Sequence, residues 1–195
     1  MKVITLNKKS FLESTRKLID KIDFNPDMIV EVLNSGVFLG RELKKGNQKF
    51  EKAYYTSVKV QRANEYMKRS LIFRMVLKGL PYGILNYLRR YESKKAVKSL
   101  LRIEKDMPSV KSLVIPVNSS QKIKNVLIID DAIDTGKTML LVKDNLKLQF
   151  PEANIKTAVL SWTLGNSIVK PDYYIFKNVL VRFPWSKDYK GEDFE

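Results

Sequence analysis

The sequence predicts an α/β fold in which helices flank a doubly wound, mainly parallel β-sheet. Two segments indicate it, because residues 28–45 and 126–150 each run from an apolar strand through a polar turn into an amphipathic helix. The strand Val126–Ile129 is wholly apolar, as expected for a strand buried on both faces of a parallel sheet. At 195 residues the chain fits a single domain with a conventional core.

The first third of the chain supplies one helix and the first strand–turn–helix segment. Ser10 and Glu13 form a capping-box pattern, which predicts a packing helix over residues 10–20. Its apolar positions have helical spacing: Leu12, Leu18, Ile19 and Ile22. The elements that follow are a break at 25–27, a strand over 28–33, a turn at 34–36 and a helix over 37–45.

The middle of the chain carries a long insertion. A third strand is predicted over 54–60, and residues 63–111 separate it from the strands that follow. This insertion contains three apolar stripes at helical spacing: Leu71, Ile72, Met75 and Val76; Ile84, Leu85, Leu88 and Tyr91; Val97, Leu100 and Leu101. We expect two or three amphipathic helices that form a lid or a dimer surface.

The last third completes the alternation of strands and helices. The predicted elements are a short strand over 113–117, a helix over 139–150 that ends before Pro151, and a strand over 155–160. In a doubly wound sheet, ligands bind at the carboxyl ends of the strands. The turn at 34–36 is therefore expected to share one edge with the acidic residues that follow Ile129.

Composition narrows the available chemistry. The chain has no Cys and no His, which excludes thiol nucleophiles, imidazole bases, structural zinc sites and disulfides. Carboxylates, Lys, Arg, Tyr and an exogenous metal remain. The N-terminal apolar run Val3–Leu6 is too short for a signal peptide, and no stretch approaches the ~18 apolar residues of a membrane span. We therefore expect a cytoplasmic protein without a transmembrane segment.

The net charge of +15 is unevenly distributed. Residues 61–112 hold 13 Lys and Arg against 4 Asp and Glu, a balance of +9, whereas residues 1–60 carry +5 and residues 113–195 carry +1. A basic segment attracts a polyanionic substrate, a nucleic acid or an acidic membrane surface, and charge alone does not choose among them. Stripes that can pack on one another favour a helical subdomain over a membrane-surface element.

The residues between the strand 126–129 and the next helix form the most informative loop. Consecutive backbone N–H groups at a helix start converge on one anion, and threonine hydroxyls add donors. The predicted phosphate-binding residues are Asp134, Thr135, Gly136, Lys137 and Thr138. An NTP-binding loop is excluded, because it needs a glycine at the position of Asp131.

Three carboxylates accompany this loop: Asp130, Asp131 and Asp134. They would repel a phosphate unless they held a metal, took protons or bound sugar hydroxyls. A phosphorylated sugar fits these requirements best. The structural alternative is that the first two end a buried strand and Asp134 caps the following helix.

The stretch Val126–Thr138 resembles the signature of type I phosphoribosyltransferases: an apolar strand, two aspartates, two apolar residues, then an acid or small residue and Thr-Gly-x-Thr. With Asp134 it is most similar to the 6-oxopurine branch. Two later motifs, Lys170–Tyr174 and Phe183–Trp185, resemble the end of xanthine phosphoribosyltransferase-like proteins. The resemblance implies a type I phosphoribosyltransferase-like α/β domain over 1–195, with residues 63–111 as a basic helical subdomain in its hood region.

The resemblance also implies roles for the loop residues. Residues 134–138 would bind the 5′-phosphate of phosphoribosyl pyrophosphate (PRPP), and Asp130 and Asp131 would face the ribose hydroxyls. Asp134 would be the general base near N7 of the acceptor. The implied cofactor is Mg²⁺, which Asp130 and Asp131 would reach through the ligand or water. A homodimer is implied as well.

A pyrophosphate site is expected at Asn34, Ser35 and Gly36. This turn resembles the family's pyrophosphate loop, although it lacks the leading cation and the first glycine of that loop. Relatives also place a basic residue near the end of the third strand, where Lys59 and Arg62 are the candidates. An ordinary strand-to-helix turn and a solvated strand end are the alternatives.

The departures from the family pattern fall where relatives bind the base. Leu164 occupies the position of a lysine that contacts the purine, and Leu180 the position of an aromatic ring that stacks on it. Ser186 replaces an acidic residue. Lys170 is the candidate substitute cation at the base site, with a solvated loop lysine as the alternative. The sugar-phosphate half of the pattern is therefore retained and the base half is changed.

The leading functional hypothesis is a Mg²⁺-dependent pentosyltransferase that moves the phosphoribosyl group from PRPP to a purine-like nitrogenous base and releases pyrophosphate. The main alternative is a non-catalytic module that senses PRPP or a nucleotide and binds nucleic acid or a protein through the basic insertion. Nucleic acid is not the favoured partner. A membrane-surface enzyme is the third hypothesis.

Overall fold

The structure is a computed structural model that describes residues 1–46, 48–60, 76–103, 113, 115–117 and 122–194. Its central sheet has five strands in the order β3-β2-β4-β5-β6. These strands are β2 (Met28–Val32), β3 (Tyr54–Val58), β4 (Asn125–Ile133), β5 (Asn154–Trp162) and β6 (Tyr173–Lys177). Every neighbouring pair is parallel, so all five carboxyl ends lie at one edge. The predicted parallel α/β fold is confirmed.

Helices cover both faces of this sheet. One face packs against α1 (Lys8–Lys21) and α2 (Gly36–Gly46), whose fully buried Leu18, Leu39 and Leu43 join the sheet residues Ile29 and Leu127 in one core. The opposite face packs against α5 (Lys137–Gln149) through Met139, Val142 and Leu146. The residues that the structure describes also include helices α3 (Gln48–Glu51) and α4 (Tyr82–Ile103).

A second, two-stranded sheet joins the two ends of the chain. Strand β1 (Lys2–Thr5) pairs in parallel with β7 (Val179–Arg182). The chain passes directly from β6 to β7 through Asn178, which has a positive φ of 56°. These strands were not predicted from the sequence, because runs of four residues give too few positions to reveal a strand period.

Three local predictions are corrected by the structure. Helix α1 begins earlier, because Asn7 is the N-cap: its Oδ1 accepts from the Ser10 N–H at 2.8 Å and its N–H donates to Ser10 Oγ at 2.9 Å. Strand β4 runs four residues further than predicted, to Ile133, so Asp130 and Asp131 belong to the strand. The described residues of the predicted strand 113–117 lie outside any strand.

In the insertion, the second and third apolar stripes form one continuous helix, α4. Leu85 is the buried member of the second stripe, at 1% exposure, whereas Ile84, Leu88 and Tyr91 are exposed. The stripe at 71–76 lies outside the described residues, except for an exposed Val76. Among the parts that are described, no helix is both long and apolar enough to cross a membrane.

Candidate active site

A cavity of about 530 Å³ opens at the carboxyl edge of the central sheet. Strand β4 contributes Asp130 and Asp131 to its wall, and the turn after β4 contributes Asp134. Asn34 and Ser35, from the turn after β2, line the same cavity. The expectation that this turn and the acidic residues share one edge of the sheet is confirmed.

Asp131 is the most constrained of the three carboxylates. The Trp185 indole N–H donates to Asp131 Oδ2 at 3.0 Å, and the Ser35 side chain also forms a hydrogen bond to this carboxylate. The Asp131 backbone N–H donates to Asp130 Oδ1 at 2.8 Å. Burial raises the pKa of Asp131, and the negative charge of Asp134 adds to this effect, while the hydrogen bonds oppose it. The carboxylate therefore joins β4 to the turn after β2 and to the C-terminal segment.

The turn after β2 packs closely against β4. The peptide between Leu33 and Asn34 is cis, and Gly36 begins helix α2. A Cβ atom at Gly36 would lie 2.8 Å from the carbonyl oxygen of Ile129. Glycine is therefore required here, because any side chain would push the turn away from the strand that carries the acidic pair.

The turn at residues 134–138 provides an uncapped helix start. Gly136 is the N-cap of α5 with a φ of 85°, and no side chain forms a hydrogen bond to cap the helix. A Cβ at Gly136 would lie 2.7 Å from the backbone nitrogen of Val169, and the Thr135 carbonyl accepts from the Ile168 N–H at 2.9 Å. Residues 168–169 therefore pack against this turn and hold it in place. The backbone N–H groups at the start of α5 suit an anion.

The other predicted ligand residues are placed differently. Gly36 and residues 135–138 do not line the cavity, although they adjoin residues that do. Leu164, which is buried, and Leu180 line the cavity. Lys59 follows β3 at the same edge of the sheet but is exposed and does not line the cavity. Lys170 lines a separate cavity of about 380 Å³, with Asp23 and Lys156. Arg62 lies outside the described residues.

Sequence reasoning missed the contribution of α4 to this cavity. The helix supplies Arg89, Glu92, Ser93 and Ala96. Their spacing places them on one helix face, yet nothing local distinguishes this face from the rest of a basic helix. Only the docking of α4 shows that it forms part of the site.

Arg89 fixes that docking. Its guanidinium forms two hydrogen bonds with Asp188, at 2.8 and 2.6 Å, and a third with the Val181 carbonyl at 3.1 Å. Asp188 also accepts from the fully buried Arg182 at 2.9 Å. Burial alone would raise the pKa of Asp188, but the two guanidinium groups lower it to about 2. This network joins α4 to β7 and to the C-terminal segment.

The Phe183–Trp185 motif packs the C-terminal segment onto the core. The Trp185 ring stacks on Phe38, with centroids 4.5 Å apart, and on Phe183, with centroids 4.9 Å apart. Phe11 and Phe194 also contact this ring, the first edge-on at 5.1 Å. Stacking on both faces positions the indole N–H that reaches Asp131.

The carboxylates of the site suit a hard cation that takes some of its ligands from the protein and the others from water or substrate. Among the residues that the structure describes, no group of three or more His, Cys, Asp or Glu side chains could hold a metal ion. Asp130 and Asp131 offer carboxylate oxygens, the ligand type that Mg²⁺ prefers, and Mg²⁺ usually keeps water or substrate oxygens as its other ligands.

Comparisons with known proteins agree with this arrangement. The family model described as a phosphoribosyl transferase domain matches residues 6–192. A purine phosphoribosyltransferase from Pyrococcus horikoshii has 22% identity and a TM-score of 0.58, over 95% of this chain and 94% of that chain. A xanthine-guanine-hypoxanthine phosphoribosyltransferase from Helicobacter pylori has 14% identity and a TM-score of 0.54, over 94% and 92%.

A hypothetical protein from Neisseria gonorrhoeae, solved with bound ppGpp, has 15% identity and a TM-score of 0.52, over 94% of this chain and 89% of that chain. No curated protein sequence matches the chain. At these identities the structural likenesses show the fold. The predicted type I phosphoribosyltransferase fold is thus confirmed.

Proposed function

The chain belongs to the phosphoribosyl transferase domain family, and we propose that it is a pentosyltransferase that moves the phosphoribosyl group of PRPP to a nitrogenous, purine-like base. The reaction releases pyrophosphate. The family membership that the sequence motifs predicted is confirmed.

One observation carries the proposal: a single cavity is lined by Asn34 and Ser35 from the turn after β2 and by Asp134, the first residue of the turn that leads into α5. The uncapped start of α5 suits the 5′-phosphate. The turn at residues 34–36 suits the pyrophosphate, with Asn34 and Ser35 in the cavity wall. Asp130 and Asp131 lie on β4 at the carboxyl edge and suit the ribose hydroxyls, because carboxylates accept hydrogen bonds.

The transfer step forms a bond between a base nitrogen and C1 of the ribose, and breaks the bond between C1 and the pyrophosphate oxygen. Pyrophosphate leaves with the electron pair of that bond. Asp134 accepts the proton that the base nitrogen loses. Its exposed carboxylate lies in the cavity wall directly after β4, where it can meet a base bound in the cavity.

Asp130 and Asp131 are the residues that would hold Mg²⁺, through water or through PRPP itself. A bound Mg²⁺ would neutralise charge on the pyrophosphate group. Omission of Mg²⁺ is expected to weaken PRPP binding, as measured by titration calorimetry with and without the ion.

The proposal is tested by measuring pyrophosphate release from PRPP with a panel of purine and pyrimidine bases. Release with at least one base is expected, together with formation of the matching 5′-mononucleotide. No product with any base of the panel would overturn the transferase proposal, and the absence of PRPP binding as well would overturn the assignment of the cavity.

One observation favours a second function, nucleotide sensing without catalysis. The base end of the cavity is lined by Leu164, Leu180 and Phe183, and the Neisseria protein of the same fold was solved with bound ppGpp. Nucleotide binding without pyrophosphate release on any base would favour this function. Salt-dependent nucleic-acid binding through the basic insertion would show that such a sensor also binds nucleic acid.

Two further expectations stay predictions. We propose that the chain forms a homodimer, which sedimentation velocity tests. A cytoplasmic location is also proposed, and fractionation of cells that express the tagged chain tests it.

A further inference from the structure

Helix α4 forms one wall of the site cavity. Its residues Arg89, Glu92, Ser93 and Ala96 all line the cavity. They stand at positions i, i+3, i+4 and i+7, so a single face of the helix is turned toward the cavity.

The position of this face is fixed at Arg89. Its guanidinium is held by Asp188 and by the Val181 carbonyl, and Val181 itself lines the cavity on β7. Glu92 and Ser93 lie one helical turn further along the same face. The helix therefore presents these two residues beside β7.

Apart from Thr163, whose Oγ1 lies 3.4 Å from Ser161 Oγ, the residues that β7 and the segment after β5 contribute here are apolar or already hydrogen-bonded. Leu164, Leu180 and Phe183 offer no side-chain hydrogen bonds. Ser186 Oγ already accepts from the Phe183 N–H at 3.0 Å, and Ser93 Oγ lies 3.9 Å from Met1 Sδ. Glu92 forms no hydrogen bond or ion pair with any residue that the structure describes. Its carboxylate is therefore open to hydrogen bonds from a base in the cavity, in addition to the Asp134 carboxylate that is proposed to take the base proton.

We propose that Glu92 is a specificity-determining residue that selects a base with two adjacent N–H donors. The inference rests on the proposed function of the cavity. A carboxylate only accepts hydrogen bonds, and its two oxygens match a fork of two parallel N–H groups. The ring N–H and 2-amino group of guanine form such a fork. Hypoxanthine lacks the amino group, and xanthine replaces it with a carbonyl that faces the carboxylate unfavourably.

Binding of mononucleotides tests the proposal without requiring catalysis. Titration calorimetry on the full chain compares the 5′-monophosphates of guanosine, inosine and xanthosine. We expect the guanosine nucleotide to bind at least about tenfold more tightly than the other two. In Glu92→Gln the side-chain volume is kept but one acceptor becomes a donor, so this preference is expected to fall to within about threefold.

Glu13→Gln is the matched control, because Glu13 is an exposed carboxylate on α1 that does not line the cavity. It should retain the preference, and circular dichroism checks that both variants fold. If Glu92→Gln and the unmodified chain show the same preference among the three nucleotides, the role of Glu92 is overturned but the proposed function is not. Failure of PRPP and of every nucleotide to bind would instead overturn the proposed function, and the role of Glu92 with it.

Discussion

Asp131 shows how a single residue couples the site to the rest of the protein. Partial burial and the neighbouring charge of Asp134 raise the pKa of this carboxylate, while the Trp185 and Ser35 hydrogen bonds stabilise its charged form. The ionised carboxylate is the form proposed to accept hydrogen bonds from ribose. PRPP binding should therefore weaken as the pH falls through the raised pKa of Asp131.

Trp185→Phe tests this coupling. The substitution keeps an aromatic ring between Phe38 and Phe183 but removes the indole N–H that donates to Asp131. The pKa of Asp131 should rise further, because a hydrogen bond to the charged form is lost. The acid limb of the PRPP-binding profile, measured between pH 5 and 8, is expected to move to higher pH. The assignment of the acid limb to Asp131 would be contradicted if the PRPP-binding profile of Trp185→Phe were unchanged. It would also be contradicted if the acid limb persisted in Asp131→Asn.

Asp134→Ala separates proton transfer from substrate binding. Because Asp134 is proposed to accept the proton of the base, we expect turnover to fall by about 100-fold or more. PRPP affinity should change by less than about threefold, since the backbone N–H groups of the loop remain. Steady-state kinetics and titration calorimetry measure the two effects. Asp20→Ala, at an exposed position on α1, is the control, and undiminished turnover in Asp134→Ala would exclude this role.

At the scale of elements, the start of α5 depends on a glycine that no other residue can replace without strain. In Gly136→Ala, the new Cβ would meet the Val169 backbone nitrogen at 2.7 Å, and the residue would keep a φ of 85°. We expect the free energy of unfolding to fall by about 2 kcal/mol and PRPP affinity to fall with it, as measured by urea denaturation and calorimetry.

Gly83→Ala is the matched control for that substitution. A Cβ at Gly83 would meet no atom within 4 Å, and the residue lies in helix α4. Its stability should be unchanged or higher by up to about 1 kcal/mol. Equal effects at the two glycines would show that the close approach at Gly136 does not matter.

The docking of α4 depends on Asp188. In Asp188→Asn the pairing with Arg89 and Arg182 is weakened, and the free energy of unfolding should fall on the order of 2 kcal/mol at neutral pH. The folded-state pKa of Asp188, about 2, lies below its unfolded value. Its stabilising contribution is therefore present above about pH 4 and is lost as the pH falls toward 2.

Urea denaturation of both forms between pH 7 and pH 2.5 measures this contribution as a difference. The stability gap between the unmodified chain and Asp188→Asn should be largest near neutral pH and should narrow below pH 4. A gap that does not vary with pH would show that the carboxylate charge of Asp188 is not what stabilises the docked helix.

At the scale of the whole molecule, the site is assembled from segments that span the entire chain. Strand β1 pairs with β7, α4 is tied to Asp188, and Trp185 reaches Asp131. A ligand in the cavity therefore contacts elements that must all be folded together. Binding should stabilise the molecule as a unit rather than one part of it.

Thermal denaturation with PRPP and Mg²⁺ tests that expectation. At a ligand concentration of 100 times Kd, the stabilisation is about 2.7 kcal/mol, which raises Tm by about 5–10 °C for a chain of this size. Ribose 5-phosphate and pyrophosphate, added singly, should each give a smaller shift. No shift with PRPP would count against the proposed function.

The sequence by itself determined the alternation of strands and helices and the loop at residues 134–138. These features depend on local chemistry: apolar runs form buried strands, and a glycine at the turn allows the helix to begin there. The parallel sheet order β3-β2-β4-β5-β6 then brings the two predicted turns to one edge. For this reason, it was predictable that one cavity is lined by Asn34, Ser35 and the three carboxylates. The binding roles of these residues stay predictions.

The tertiary structure alone decided which other residues complete the cavity. Arg89 and Glu92 lie in the basic helix α4. The apolar spacing of this helix predicted that its second stripe packs in the core, but only Leu85 of that stripe is buried. Arg89 pairs with Asp188, about a hundred residues further along the chain, and this pairing sets which face of α4 lines the cavity. Local periodicity carries no information about such distant pairs, because their geometry exists only once both chain ends have packed around the same sheet.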